Sequence, residues 1–401
     1  MANRYSVVSL LLTIAIVILT GCWNNNELDD FAIVTALGID QTEDAERIEV
    51  TIEVANPMEI AGRQDTATGS GATTTLYSAE GDTLISAIRR ISQQTPREAF
   101  FPYTQTIIFG EELAKNGIKE LFDYLERDQG FRSTPRVLIA RDTTAKEVIS
   151  ILSPLEKIPA QKLVNIGEVS GRTLGETMPV KIMEFIEKIT SEGVEPIVSG
   201  VSVTGAPLKG TGTSNIEDTT PHALLKSEGL AIFKDGQLER WVDKEEARGV
   251  LFAINKIDST IIDLDCNQEA NAISFNISNT HSSIKATINN KMPTMTIYVK
   301  QVGEIEEIHC NADLTNPETI NKFKKQMEEK TKQEIERAVQ IAKEENSDVF
   351  GFGQVINRED PKKWREIKQE YKDKFPEIDV RVKVDAYVIR TGMRRESYNQ
   401  D

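Results

Sequence analysis

Histidine and cysteine are scarce, with three of each in 401 residues. His222, His281 and His309 have none of the paired Cys/His intervals that a zinc site needs. No Gly-x-Ser-x-Gly elbow, glycine-rich phosphate loop, His-Glu-x-x-His or paired-cysteine motif occurs, so no motif points to an enzyme. The stretch "GFGQVINRED" (Gly351–Asp360) lacks the third glycine and the strand-to-helix setting of a phosphate loop, and reads as a tight bend between two helices. An excess of positive charge is also missing. Against 47 Lys and Arg stand 63 Asp and Glu, a net charge of -16. That balance excludes nucleic acid as a partner, and it argues against adhesion to anionic lipid through overall charge. No catalytic, metal or cofactor-binding residue is expected.

There is only one long apolar run, at the start. Arg4 is the sole charged residue before Cys22, and "VVSLLLTIAIVIL" (Val7–Leu19) follows it. A short positive region and an apolar region of this length are the marks of a signal peptide. Counted generously, the run only just reaches the roughly 17 residues of a spanning helix. Leu19-Thr20-Gly21-Cys22 resembles the bacterial lipobox, an aliphatic residue and two small ones before a cysteine. That resemblance implies a diacylglyceryl group on the Cys22 thiol and removal of residues 1–21. Two acyl chains anchor stably where one is reversible. Trp23 beside them suits the membrane interface.

Cys266 and Cys310 remain. Ile262, Leu264 and Cys266 alternate on one strand face, as do Ile308, Cys310 and Ala312, so both thiols are expected in a core. A disulfide between them is allowed outside the cell, and the sequence leaves it open. Asp263/Asp265 and Glu304/Glu306/Glu307 read as solvated strand faces, because no calcium loop surrounds them. Trp364 fits a helix stripe and is expected in the core.

Along the chain, "FAIVTALGID" and "ERIEVTIEVA" read as an antiparallel hairpin, half solvated, with Arg47, Glu49, Thr51 and Glu53 facing water. A loop rich in Gly, Ser and Thr follows, then a strand near residues 73–79. Asp82 is the expected cap of the next helix. Strands and helices then alternate up to "PVKIMEFIEKI", whose Val180, Met183, Ile186 and Ile189 make one stripe. "KGTGTSNIEDTTPHA" reads as a mobile loop, and Asp235-Gly236 as the tip of a hairpin. In the last third, four strand-like runs (272–277, 283–288, 295–299 and 305–314) precede a helix capped by Asn316-Pro317 and reaching about residue 345. Its buried stripe is Ile320, Phe323, Met327, Ile335, Ala338 and Ala342. Its charged face reads as solvated and held by i,i+4 pairs. A second helix follows Asp360-Pro361, and "EIDVRVKVDAYVIR" closes the chain as a strand. The expected fold is α+β, in three mixed α/β domains. These are an N-terminal domain over 22–193, a middle domain over 194–258, and a C-terminal domain over 259–392 in which a long helix packs an antiparallel sheet. A tail occupies 393–401.

Several stretches together resemble one family. "GCWNNNELDDFAIVTALGID" after a signal peptide looks like the start of the Ger(x)C lipoproteins, the C subunits of nutrient germinant receptors in endospore-forming bacteria. "FFPYTQTIIFGEELAKNGIKELFDYLERDQGFR", "GLAIFKDGQLERWVDKEEARGVLF", "DVFGFGQVINREDPKKW" and the ending "VKVDAYVIRTG" agree in order. Tyr371 departs from the tryptophan expected in the second C-terminal helix. The resemblance implies a non-enzymatic subunit without cofactors, needed for nutrient-triggered germination. It further implies assembly with the integral-membrane A and B subunits at the outer face of the cell membrane, which becomes the spore inner membrane. Cys22 is the one residue whose role carries over, as the lipidation site. The competing reading is a solute-binding lipoprotein that delivers a small nutrient to a transporter. Two repeated lobes with parallel sheets would mark that class, and the C-terminal third reads differently.

Overall fold

The computed structural model describes residues 30–61, 72–127, 130–288 and 292–390. The apolar leader, Cys22, Trp23, the glycine-rich loop at 62–71 and the tail lie outside them. The first half comprises β1 (Phe31–Gln41), β2 (Ile48–Ala55), α1 (Pro57–Ala61), β3 (Thr74–Gly81), α2 (Leu84–Ile91), β4 (Glu98–Phe100), β5 (Thr106–Gly110), α3 (Glu111–Asn116) and α4 (Leu121–Arg127). It continues with β6 (Arg136–Ala140), α5 (Ala145–Ser150), α6 (Pro159–Leu174), β7 (Val180–Lys181) and α7 (Ile182–Thr190). After these come β8 (Ile197–Gly205), α8 (Pro207–Gly210), α9 (Ser214–Glu217), β9 (Ala223–Lys234), β10 (Gln237–Val242) and α10 (Lys244–Ala253). The last third holds β11 (Thr260–Cys266), β12 (Glu269–Thr287), β13 (Thr294–Ile308), α11 (Pro317–Glu344), α12 (Phe352–Glu359), α13 (Pro361–Lys374) and β14 (Val380–Arg390).

The strands form two sheets, so the fold is mixed α/β as expected. The larger has ten strands on the path β10-β9-β8-β6-β5-β1-β2-β3, with β4 beside β1 and β7 beside β6. Its centre is parallel: β1, β5, β6 and β8 run the same way. Parallel strands are covered on both faces, and β5 is accordingly buried along its whole length. One face carries edge-on phenyl rings that tie four elements together. Phe109 meets Phe122 at 5.8 Å, Phe122 meets Phe185 at 5.3 Å, and Phe185 meets Phe233 at 5.4 Å. On the other face Ala36, Ile108 and Leu138 pack beneath Val148, Ile149 and Leu163 of α5 and α6.

That second covering corrects the expected hairpin. β1 and β2 do pair antiparallel, but the polar face of β2 is not in water. Thr51 and Glu53 are fully buried. The cover includes α6, a helix that "PAQKLVNIGEVSGRTL" hardly announces, since two glycines interrupt its apolar spacing. Other local readings shift as well. Thr83, not Asp82, caps α2, in a reciprocal capping box with Ser86. On α7 the buried stripe is Ile182, Phe185, Ile186 and Ile189, and Met183 faces out. The stretch expected to be mobile is pinned by buried Asn215. Its amide donates to the Leu152 and Ala223 carbonyls at 2.9 and 3.1 Å.

The segment expected as a middle domain adds β8, β9 and β10 to the edge of the large sheet, with β8 lying parallel to β6. The hairpin turn at Asp235-Gly236 is present, both residues with positive φ. From β10 the chain enters α10, which joins the two halves of the molecule. Gly249 lies so close to α11 that a Cβ there would stand 2.1 Å from the Glu334 carbonyl oxygen.

The smaller sheet has the order β11-β12-β13-β14. Two long strands replace the four short runs, because β12 and β13 continue through bulges near Ser274 and Ile277. The sheet is antiparallel except at its last strand. β14 pairs parallel with β13, since the chain returns through three helices and re-enters along the same direction. α11 lies across this sheet. Phe323, Met327, Ile335, Ala338 and Ala342 are buried as expected. The pairs Glu329–Gln333 (3.0 Å) and Lys332–Glu336 (3.8 Å) hold its outer face. "GFGQVINRED" is not a bend but the helix α12, entered through Gly351 in the left-handed region.

Candidate functional site

Cys22 itself lies outside the described residues. The chain enters the described fold at Asp30, and β1 begins at Phe31. β1, β4, β5 and β6 all start at this end of the large sheet, so the loops before β5 and β6 gather beside Phe31. Two adjoining clefts form there. One, of about 670 Å³, is lined by Phe31, Ile88, Phe100, Phe101 and Tyr124, together with Arg89, Arg97 and Glu98. The other, of about 390 Å³, is lined by Tyr103, Thr104, Gln105, Arg132, Arg136 and Lys181. Pro102 belongs to both, and the rings of Phe100 and Tyr103 stand 6.0 Å apart across the divide. Arg132 lies over the Tyr103 ring at 5.6 Å. Arg136 pairs with Glu168 at 2.9 Å. The Thr104 hydroxyl and the side-chain amide oxygen of Gln105 are buried without a hydrogen-bond partner among the described residues.

The opposite end of the sheet is closed by ion pairs. The Arg141 guanidinium donates to both oxygens of Asp243, at 2.5 and 2.9 Å, and lies 4.8 Å over the Trp241 ring. The Trp241 indole donates to Glu111 at 3.0 Å. Gly229, at φ 67°, leaves room for Asp243, whose carboxylate a Cβ would strike at 2.4 Å. The "FGEEL" and "ERWVD" stretches therefore meet, as a clamp that holds the β9–β10 hairpin to the parallel strands.

Three buried carboxylates and the half-buried Glu195 were invisible as such in the sequence, and each joins elements. Asp40 accepts from the Ala145 and Lys146 amides at the start of α5, at 2.7 and 3.0 Å. Burial pushes its pKa up to about 6 against those bonds. Glu53 accepts from the Thr35 hydroxyl at 2.6 Å and from the Ala160 amide at 3.3 Å. Burial raises it to about 7. Glu195 accepts from the Asp235 amide at 3.2 Å and is also raised by burial to about 7, with Lys372 opposing. Asp348 accepts from the Phe352 and Gly353 amides and, at 2.7 Å, from the Tyr371 hydroxyl. Burial brings it to about 6. Tyr371 thus does more than keep an aromatic in place: its hydroxyl helps hold the start of α12. These carboxyls face backbone amides, hydroxyls and lysine rather than a nucleophile, so their raised pKa values reflect packing.

The remaining candidates are placed plainly. Asp263 and Asp265 are exposed on β11 and accept from Ser274 and Asn271. Among the described residues no group of three or more His, Cys, Asp or Glu side chains is placed to hold a metal ion. Trp364 is buried against Tyr371 at 5.0 Å. Cys266 and Cys310 are joined as a disulfide, with their Cα atoms 6.0 Å apart. β11 ends where β12 turns back toward the close of β13, which brings the two cysteines together.

The architecture defines a two-sheet mixed α/β protein with a clefted, arginine-bearing end where the chain enters. It is also the fold of the crystal structure of the GerBC protein, which aligns with a TM-score of 0.54 at 18% identity, over 88% of this chain and 96% of that one. Residues 24–203 match the family profile "Spore germination protein N-terminal domain", and residues 228–392 match "Spore germination B3/ GerAC like, C-terminal". The chain belongs to this Ger(x)C family of spore germination proteins. Spore germination protein KC of Bacillus subtilis is 29% identical over 98% of this chain and 97% of its own length. Spore germination protein B3 of the same organism is 20% identical over 98% of each.

Proposed function

We propose that this chain is the non-enzymatic C subunit of a nutrient germinant receptor, held by lipid on Cys22 at the outer face of the membrane beside integral-membrane A and B subunits. The observation that carries this reading is the match to proteins named for spore germination, over 98% of this chain in both cases and over 97% and 98% of their own lengths. The Cys266–Cys310 disulfide supports a place outside the reducing cytoplasm. The lipobox-like Leu19-Thr20-Gly21-Cys22 supports the anchor.

The test is metabolic labelling with palmitate in a sporulating host. Label is expected in the wild-type chain and absent from Cys22→Ala, which folds but leaves the membrane fraction. Equal label in both chains overturns the anchor. Co-purification with the two membrane subunits, with loss of nutrient-triggered germination when the gene is deleted, tests the receptor assignment. Micromolar binding of a nutrient by the isolated chain, with no such complex, turns the assignment to a solute-binding lipoprotein.

A further inference from the structure

We propose that the two clefts beside Phe31 form a docking surface for an anionic phospholipid bilayer, arginines meeting headgroup phosphates and the aromatic cleft meeting the acyl boundary. The inference rests on the reading that the chain is held at a membrane through Cys22. Three observations carry it.

The first is charge. Over the whole chain acids outnumber bases, for a net charge of -16. Around these clefts the balance reverses. Arg89, Arg97, Arg132, Arg136 and Lys181 line them, with Glu98 the one carboxylate among the described lining residues. Arg136 is answered by Glu168, whereas Arg89, Arg97 and Arg132 are exposed and in ion-pair range of no described carboxylate. Overall charge repels an anionic surface, so a local excess of arginine would orient the molecule on it.

The second is chemistry. The larger cleft is apolar and aromatic, the smaller one cationic and polar, and they share Pro102. Half-buried Phe100 and exposed Tyr103 mark the join. An amphiphile has this division between tail and headgroup, and aromatic rings beside arginine suit the interface of a bilayer. The Thr104 hydroxyl and the Gln105 side-chain oxygen, unpartnered among the described residues, lie on the headgroup side.

The third is reach. Eight residues lie between Cys22 and Phe31, nine steps along the backbone. Fully extended they span roughly 30 Å, so an anchor on Cys22 keeps this end of the sheet, more than any other, near the lipid.

The test uses the full chain in lipid nanodiscs, with arginine labelling by a phenylglyoxal reagent read by mass spectrometry. One set of discs is phosphatidylcholine and the other contains phosphatidylglycerol. In the phosphatidylglycerol discs Arg89, Arg97 and Arg132 are expected to label at least about fivefold more slowly, the factor that goes with one arginine at an anionic surface. High salt should abolish the difference. Arg240 and Arg337, on α11 and its surroundings, should label alike in both. In an Arg89→Gln, Arg97→Gln, Arg132→Gln chain, reaction of Lys181 with an acylating reagent should lose its dependence on phosphatidylglycerol. These three side chains are exposed, so a thermal melt is expected to show the variant folded. Equal labelling in the two discs overturns the proposal. Protection of the same arginines by inorganic phosphate without discs also overturns it, in favour of a small-anion site. A missing palmitate on Cys22 would be read separately, because the full chain retains its apolar leader and the footprint is still measured.

Discussion

At the scale of single residues, burial matters more than residue type. Glu53 looks like a solvated strand residue, yet it sits under α6 with a pKa near 7. A carboxyl whose folded pKa lies above its unfolded value favours the folded state most when protonated. Its contribution is complete below about pH 4.5 and is lost as pH rises to about 7. Asp40, Glu195 and Asp348 act in the same direction. The protein is therefore expected to lose stability between about pH 4 and about pH 7, by urea unfolding at fixed ionic strength. Glu53→Gln should remove part of that slope, at most about 3 kcal/mol at about 1.4 kcal/mol per pKa unit. A variant with the wild-type slope would show that Glu53 is ionised at no cost in the fold.

At the scale of elements, α11 packs across the smaller sheet and against α10, which joins the two halves. Its apolar stripe was legible from spacing, and Phe323, near the N-terminal end of that stripe, is 1% exposed. Phe323→Ala should destabilise by about 3–5 kcal/mol in thermal or urea melts. Lys325→Ala, on exposed surface, should leave the melt unchanged. If Lys325→Ala instead stops germination while the fold persists, the charged face is a partner site. The buried polar residues of the same helix were not legible. Glu334 accepts from Arg248 of α10 at 2.9 Å, and Arg248 also donates to the Ile261 carbonyl at 3.2 Å. Removing one partner strands a buried charge, so Arg248→Ala should cost about 3–5 kcal/mol, whereas Arg248→Met with Glu334→Leu should cost much less. If the double replacement is as damaging as the single, the pair is specifically required where the sheets meet.

At the scale of the whole molecule, covalent and sheet connections tie distant segments together. The disulfide closes a separation of 44 residues around β12 and β13. Reduction, or Cys266→Ala with Cys310→Ala, should lower stability by about 2–4 kcal/mol through the freed unfolded chain. Unchanged denaturant midpoints with and without reductant would argue against that role. The segment expected as a separate domain instead extends the large sheet, because β8 finds its edge on β6.

The sequence by itself determined what depends on neighbours along the chain. Leader length and the residues before Cys22 set the expectation of an anchor. Asn316-Pro317 and the 3.6-residue stripe set α11, and Asp235-Gly236 set the β9–β10 turn. What depended on remote pairing came only from the tertiary structure. Period-two alternation places a side chain on one face of a strand but does not say what covers that face, so the burial of Thr51 and Glu53 waited for α6. Nor does it order strands, so the sheet expected to be wholly antiparallel takes β14 in parallel, and the Cys266–Cys310 bond was left open. Composition sums charge over the chain. Only the common start of β1, β4, β5 and β6 at one end of the sheet gathers Arg89, Arg97 and Arg132 around Phe31, on a protein whose total charge is negative.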